Sequence, residues 1–314
     1  MDLLADVRPT GLLRAGAPVV VLLSGGRDSV CLIDLAVRIA GADAVSALHV
    51  NYGLREQAAA DERHCRALCE QLGVALEVEA VERPQDAGNL QAWARDVRLG
   101  AGARAAGARG AQLAAGHTAT DQAETILYRL AASPGRRALL GMPERDGLLV
   151  RPLLRFTRAQ TVAHCTARGL AWREDASNDD LAYARNRARA NLVPALRELH
   201  PAAEANVVRT AQLLREEAAV LDEVVATALA GRDRIEVAHL AALPPALARL
   251  IVRRLAEDAA GRLCARAPGR LDDILALDDG ALDLGDGARA VVDGGVLRVE
   301  RTPTGASAPS EHPA

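Results

Sequence analysis

Pro18-Val19-Val20-Val21-Leu22-Leu23-Ser24-Gly25-Gly26-Arg27-Asp28-Ser29 is the stretch on which the fold turns. The apolar run 18–23 ends in Ser-Gly-Gly and reads as a buried parallel strand. Val30, Ile33, Leu35 and Val37 then predict a helix reaching about Ala40. Between them, Gly25 and Gly26 lack Cβ atoms, so the backbone can turn sharply and come close to a ligand. The first amides of the helix have no intrahelical acceptor, and the macrodipole there favours an anion. Ser24 and Ser29 add hydroxyl donors. Asp28 would repel a phosphate directly, but it suits a Mg2+ ion held against one. From Gly-Gly alone, a βα turn capped by Asp or Ser would read the same way.

Outward from this stretch the pattern repeats. Strands are predicted at 44–50, 74–81 and 111–115. Helices are predicted at 57–72 (stopped by Gly73), 89–107 and 119–132, the last with Ala123, Ile126, Leu127 and Leu130 on one face. Such alternation implies a parallel sheet covered on both sides. Ligands in these sheets bind beyond the C-terminal strand ends, so loops 24–29, 50–55 and 116–121 should share one rim. Beyond Pro201 the pattern changes. A long helix is expected at 205–229, with Val208, Leu214, Leu221 and Val225 on its apolar side, and shorter helices at 246–258 and 269–277. Asp-Gly pairs between short β-branched runs then signal hairpins. The expected domains are a catalytic one over 1–201 and a small helical one with a β-hairpin tail over 205–301. Residues 302–314, rich in Pro, Ser, Thr and Ala, are expected to be a disordered tail.

Composition narrows the function. The chain has 314 residues, 50% of them hydrophobic but only 2% aromatic, so its core must be aliphatic. Five scattered cysteines with no CxxC pair argue for reduced thiols rather than a disulfide framework. No apolar stretch reaches the roughly 18 residues of a membrane span, and no leader segment is visible; a cytoplasmic protein with no membrane partner is the expectation. The net charge of −3 does not itself suggest nucleic acid, yet the stretch from Arg129 to Arg197 holds 13 Arg against 6 acids. That excess suits phosphate neutralisation or a solvated basic face. All 38 basic residues besides His are Arg, because the chain contains no Lys. A Walker A lysine and a lysine Schiff base are thereby excluded.

Ser24–Ser29 resembles the SGGxDS pyrophosphate loop of the N-type ATP pyrophosphatases, which cleave ATP between the α and β phosphates. Further segments resemble the tRNA(Ile)-lysidine synthetases within that group. His49-Val50-Asn51-Tyr52-Gly53-Leu54-Arg55 is similar to their HVNHGLR, with Tyr52 for the second His. Gly116-His117-Thr118-Ala119-Thr120-Asp121-Gln122-Ala123-Glu124-Thr125 is similar to GHxxDDQxET, with Thr120 for the first Asp. Residues 133–142, Arg151-Pro152-Leu153-Leu154, Trp172 to Asn178 and Tyr183-Ala184-Arg185-Asn186-Arg187-Ala188-Arg189 follow in the family's order. Trp93 to Arg98 resembles its AR..RY segment, with Leu99 for Tyr. The likeness is strong over about 18–201 and only outlined over 205–301.

The resemblance implies a parallel-sheet nucleotide-binding domain of the PP-loop ATPase type with a smaller, mainly helical C-terminal domain. It implies ATP and Mg2+ as cofactors. It places ATP at Ser24, Gly25, Gly26, Arg27, Asp28, Ser29, His49 and His117, catalysis at Asp28, Asp121 and Glu124, and metal at Asp28 and Asp121. Asp121 and Glu124, at i and i+3, share a helix face and can hold Mg2+ or the lysine ammonium; acids there also simply complement a helix dipole. His49, at a strand end, also fits a structural role. Arg95, Arg151, Arg185, Asn186 and Arg189 are the expected tRNA or phosphate contacts. Arg185, Arg187 and Arg189 would line one side of an extended segment and spread around a helix. The implied reaction adenylates the wobble cytidine of an isoleucine tRNA with a CAU anticodon, then joins free lysine to its C2, releasing pyrophosphate and AMP. A tRNA thiolase and a catalytically silent tRNA- or nucleotide-binding protein are the rivals, and a homodimer is left open.

Overall fold

A computed structural model describes residues 2–53, 58–82, 84, 90–132, 136–174 and 187–303. The chain forms two compact units, Met1–Leu214 and Arg215–Ala314.

The first unit opens with a short helix, α1 (Leu3–Val7), and is then built on β1 (Val19–Leu22), α2 (Arg27–Ala40), β2 (Val45–Asn51), α3 (Ala58–Leu72), β3 (Ala75–Ala80), α4 (Leu90–Ala108), β4 (Gln112–Ala114) and α5 (Ala119–Ala132). From β1 to α5 each lies within a few residues of its expected place, whereas α1 was not expected. A short α6 (Arg136–Leu139), a hairpin of β5 (Arg145–Asp146) and β6 (Leu149–Val150), and helices α7 (Arg158–Ala167), α8 (Val193–Leu199) and α9 (Ala203–Leu229) follow, the boundary between the units falling within α9. The strand order is β3-β2-β1-β4-β6-β5, parallel except for the β5–β6 pair. Chain order reverses direction between β1 and β4. That switch point opens a crevice at the C-terminal strand ends, where the loops after β1 and β4 face each other.

β1 is buried on both faces because its residues alternate between two cores. Val19 and Val21 join α2, Cys65 and Leu68 of α3, and Cys165 of α7. Val20 and Leu22 pack with Leu48, Leu113 and Ala101, Ala105 and Ala106 of α4. α7 is entered through a reciprocal cap in which Gln160 Oε1 accepts from the Thr157 amide at 2.7 Å while the Gln160 amide donates to Thr157 O at 3.0 Å.

Two face assignments are corrected. Leu130 is 57% exposed, and the buried side of α5 carries Asp121, Gln122 and Glu124 beside Ala123 and Ile126. This helix turns polar groups inward because they build the site. Leu221 is likewise exposed, and Val225 and Leu229 supply the buried side of that part of α9.

In the second unit, α10 (Val237–Ala242), α11 (Pro245–Ala260) and α12 (Leu271–Leu275) accompany a four-stranded antiparallel sheet. Its strands are β7 (Arg234–Glu236), β8 (Gly280–Gly285), β9 (Ala288–Asp293) and β10 (Val296–Arg301), in the order β7-β10-β9-β8. The hairpin signals thus belong to a sheet that β7 completes. Ile251, Val252, Ile274 and Leu297 lie in its core. Of the expected tail, Thr302 still donates from its amide to Gly287 O at 2.9 Å; residues 304–314 lie outside the described ones. No helix of the described residues is long and apolar enough to cross a membrane.

Candidate active site

The turn after β1 is shaped by its own side chains. Gly25 takes φ +83°, a left-handed conformation that a side chain would strain, and a Cβ there would sit 3.3 Å from Cys65 Sγ and His64 Cδ2. The Ser24 amide donates to Ser29 Oγ at 3.2 Å, and Ser29 Oγ donates to Gly26 O at 2.8 Å. Gly26 caps α2. The Arg173 amide donates to Gly25 O at 3.0 Å, and Arg27 pairs with Glu174 at 3.3 Å. Ser24 is exposed and Gly26, Arg27 and Asp28 are half-buried, so the turn is open to a ligand. Across the crevice, Gly116 brings the loop after β4 against it: a Cβ on Gly116 would meet the Asp28 carbonyl at 3.1 Å and the Ser29 amide at 3.2 Å.

That approach puts Asp28 beside the start of α5, where a charge network forms. Asp121 Oδ2 accepts from the Thr118 amide and hydroxyl, each at 2.8 Å. Arg158, from the first turn of α7, reaches three carboxylates. Its Nη2 donates to Asp121 Oδ1 at 2.8 Å and its Nη1 to Glu124 Oε1 at 3.3 Å, and its Nε lies 3.6 Å from Asp28 Oδ2. Arg189 donates to Glu124 from Nε at 2.7 Å and from Nη2 at 3.1 Å, in a two-point grip that only a guanidinium makes. Thr161 Oγ1 donates to Asp28 Oδ1 at 2.5 Å. Among the described residues these three acids thus meet the guanidiniums of Arg158 and Arg189, at a site where Glu124 is fully buried.

The pKa shifts follow from this arrangement. Burial pushes the Asp28 carboxyl above its ordinary range and the Asp121 charge adds to the push; the Thr161 hydroxyl and the Arg158 charge oppose it without prevailing. For Arg158, burial alone would weaken its hold on its proton, but the carboxylates of Asp121, Glu124 and Asp28 more than offset this and raise its pKa.

The donors fit Mg2+. Asp28 and Asp121 offer hard carboxylate oxygens and already hold one guanidinium in common. Among the described residues no group of three or more His, Cys, Asp or Glu gathers closely enough to form a metal cage. One or two carboxylates completed by phosphate and water is the usual way Mg2+ is held.

The other expected residues are placed as follows. His49 is buried and its Nδ1 donates to Leu23 O at 2.9 Å, tying the end of β2 to β1 just before the turn. His117 is half-buried between β4 and α5. Arg151 is 3% exposed and donates from Nη1 to Pro143 O at 2.7 Å, so it anchors main chain from inside. Arg95 is exposed on α4. Arg185 and Asn186 lie outside the described residues. Tyr52 donates to Ala94 O at 2.8 Å and packs on Trp93 with centroids 5.6 Å apart. Thr120 is buried, its Oγ1 accepting from the Arg158 amide at 3.4 Å. Arg158, Thr161 and Thr118 are the members that sequence reasoning missed. Only the Thr-Arg pair after the Arg151 to Leu154 segment, read as the entry to a helix, would have pointed to Arg158.

A glycine turn at a switch point, with acids and guanidiniums on the same rim, defines an α/β domain built to bind a polyphosphate. A family model described as a PP-loop domain matches residues 7–196. A tRNA(Ile)-lysidine synthase of Thermus thermophilus is 42% identical over 246 residues, 76% of this chain and 47% of that protein. That of Pseudomonas fluorescens is 41% identical over 65% of this chain and 47% of its own length, and that of Salinispora tropica 41% identical over 78% of each. The chain belongs to the PP-loop family and, within it, to the tRNA(Ile)-lysidine synthases. It spans about half the length of some of these relatives. Among solved structures, the U34-tRNA thiolase NcsA from Methanococcus maripaludis with its [4Fe-4S] cluster superposes with a TM-score of 0.57 at 18% identity, over 68% of this chain and 78% of that one, a likeness of fold.

Proposed function

We propose that this chain uses ATP to adenylate the wobble cytidine of an isoleucine tRNA with a CAU anticodon and then joins free lysine to it, forming lysidine. The observation that carries the proposal is the charge network of Asp28, Asp121 and Glu124 beside an open glycine turn. The relatives' names supply the substrate class. Cytidine O2 attacks the α-phosphate, and pyrophosphate leaves toward the amides at the start of α2 and the hydroxyls of Ser24 and Ser29. Mg2+ held by Asp28 and Asp121 would supply positive charge to the phosphates. The lysine ε-amine, having lost its proton, attacks C2 and AMP departs. Asp121 and Glu124 supply the negative charge that draws an ammonium into place.

A thiolase would need accessible or metal-bound sulfur. All five cysteines are buried, and burial pushes the Cys65 and Cys69 thiols up to about 12 and about 11. AMP release from ATP and tRNA is therefore expected to depend on lysine and not on sulfide. Sulfide-dependent release would favour the thiolase. Binding of tRNA with no pyrophosphate released would leave a silent binding protein.

A further inference from the structure

The glycine turn is held from behind by a pair of charges that the proposed chemistry leaves unused. The peptide joining Gly25 to Gly26 has a glycine on either side, so it can flip at little steric cost. Its carbonyl accepts from the Arg173 amide at 3.0 Å. In a trans peptide the carbonyl and the following amide point opposite ways. The Gly26 amide is therefore turned away from Arg173, where its contact with Ser24 Oγ is exposed and long, at 3.4 Å. A main-chain donor is only as well placed as the segment that carries it. Trp172 packs against the core, and the Arg173 side chain donates from Nε to Asp61, one helical turn before Cys65 on α3. Cys65, Leu68 and Cys69 root that helix in the same core. The Asp61–Arg173 pair is partly buried. His64, pressed against Gly25, is held below its ordinary pKa by burial and then by the Arg173 charge, so near neutral pH it brings no rival cation to Asp61.

We propose that Asp61 and Arg173 are positioning residues for the adenylation: their pair holds segment 172–174 against the turn and so keeps the Gly26 amide aimed at the outer phosphates of ATP. Both act through the main chain. Asp61 fixes Arg173, the Arg173 amide fixes Gly25 O, and the peptide then presents the Gly26 N–H to an anion at the start of α2. The second ion pair of the segment, Arg27–Glu174, is more exposed and holds it less firmly. A pair that merely braced α3 would not distinguish ligands that reach the turn from ligands that do not, and that difference can be measured. The inference rests on the function proposed above in one respect, that ATP seats its outer phosphates at this turn.

The test is calorimetric titration of the full chain with ATP and Mg2+, and separately with AMP, without tRNA or lysine. Asp61→Ala and Arg173→Ala should each weaken ATP binding about tenfold. The double variant should lose no more than either alone, because the two side chains act as one unit. AMP lacks the outer phosphates and should bind all three variants as it binds the wild type. Arg173→Lys keeps a cation opposite Asp61 and should stay within about threefold of wild-type ATP affinity. Losses that add in the double variant, equal losses for AMP and ATP, or wild-type ATP affinity in both single variants would each overturn the proposal. A wild type that bound no ATP at all would instead sink the proposed function, and this inference with it.

Discussion

Asp28 and Asp34 lie six residues apart on α2, and each meets partners from α7, yet the pKa values of the two carboxyls are shifted in opposite directions. Asp34 meets an imidazole and a guanidinium, one on each oxygen. His164 Nε2 lies 2.8 Å from one oxygen and Arg168 Nη2 3.4 Å from the other. Burial pushes Asp34 upward, but the bonds from His164 and Arg168 outweigh it and hold the carboxyl below its ordinary range. Asp28 is pushed the other way, chiefly by burial and then by the charge of Asp121, which Thr161, Arg158 and Arg27 do not outweigh. The inner cluster fastens two helices together. The outer one gathers Asp28, Asp121 and Glu124 around Arg158 beside the glycine turn, where perturbed acids mark a functional site.

The largest expected effect breaks the outer cluster. Asp121→Ala should lower pyrophosphate release about a hundredfold to a thousandfold with an unchanged circular dichroism spectrum. Wild-type release would remove Asp121 from the chemistry. Next comes the inner cluster. Asp34→Asn leaves His164 and Arg168 without their acid and should cost about 3 kcal/mol of stability, or roughly 6–12 °C in melting temperature for a protein this size. Because the Asp34 pKa is lowered on folding, its contribution is present above the ordinary carboxylate pKa and is lost as pH falls through the folded value. The gap between wild type and Asp34→Asn should close in acid.

Asp28→Asn should do the reverse. The Asp28 pKa is raised on folding, so the stability it contributes is present in acid and lost as pH rises through the folded value. Near neutral pH the ionised group is a burden. The Asn variant should lose adenylation yet melt higher, by about 1 kcal/mol or roughly 2–4 °C. A variant that melts lower would show the carboxylate to be structural, like Asp34. The smallest effect is a control away from both clusters: Tyr52→Phe forfeits the bond to Ala94 O and should cost about 1 kcal/mol with turnover unchanged.

The contrast also explains what the sequence revealed. β1, its turn and α2 were legible because an apolar run, two glycines and a helical period follow one another directly. α5 was legible to its end residues, Ala119–Ala132, but its faces were not. A helix that buries Asp121, Gln122 and Glu124 while exposing Leu130 inverts the rule by which amphipathic helices are read. α7 was missed because its buried residues are Thr161, His164 and Cys165, with no apolar period to mark them. Its key side chain, Arg158, meets Asp121 across 37 residues and Asp28 across 130, separations that carry no local signal. β5 and β6 are two residues each, too short for an alternation to register.

Mass spectrometry of nucleosides from an isoleucine tRNA with a CAU anticodon, incubated with the protein, ATP and lysine, tests the central claim most directly. The expected result is conversion of the wobble cytidine to lysidine, dependent on both ATP and lysine and absent with Asp121→Ala. An unmodified cytidine from folded, ATP-binding protein, or a sulfur-bearing nucleoside in its place, would contradict the account.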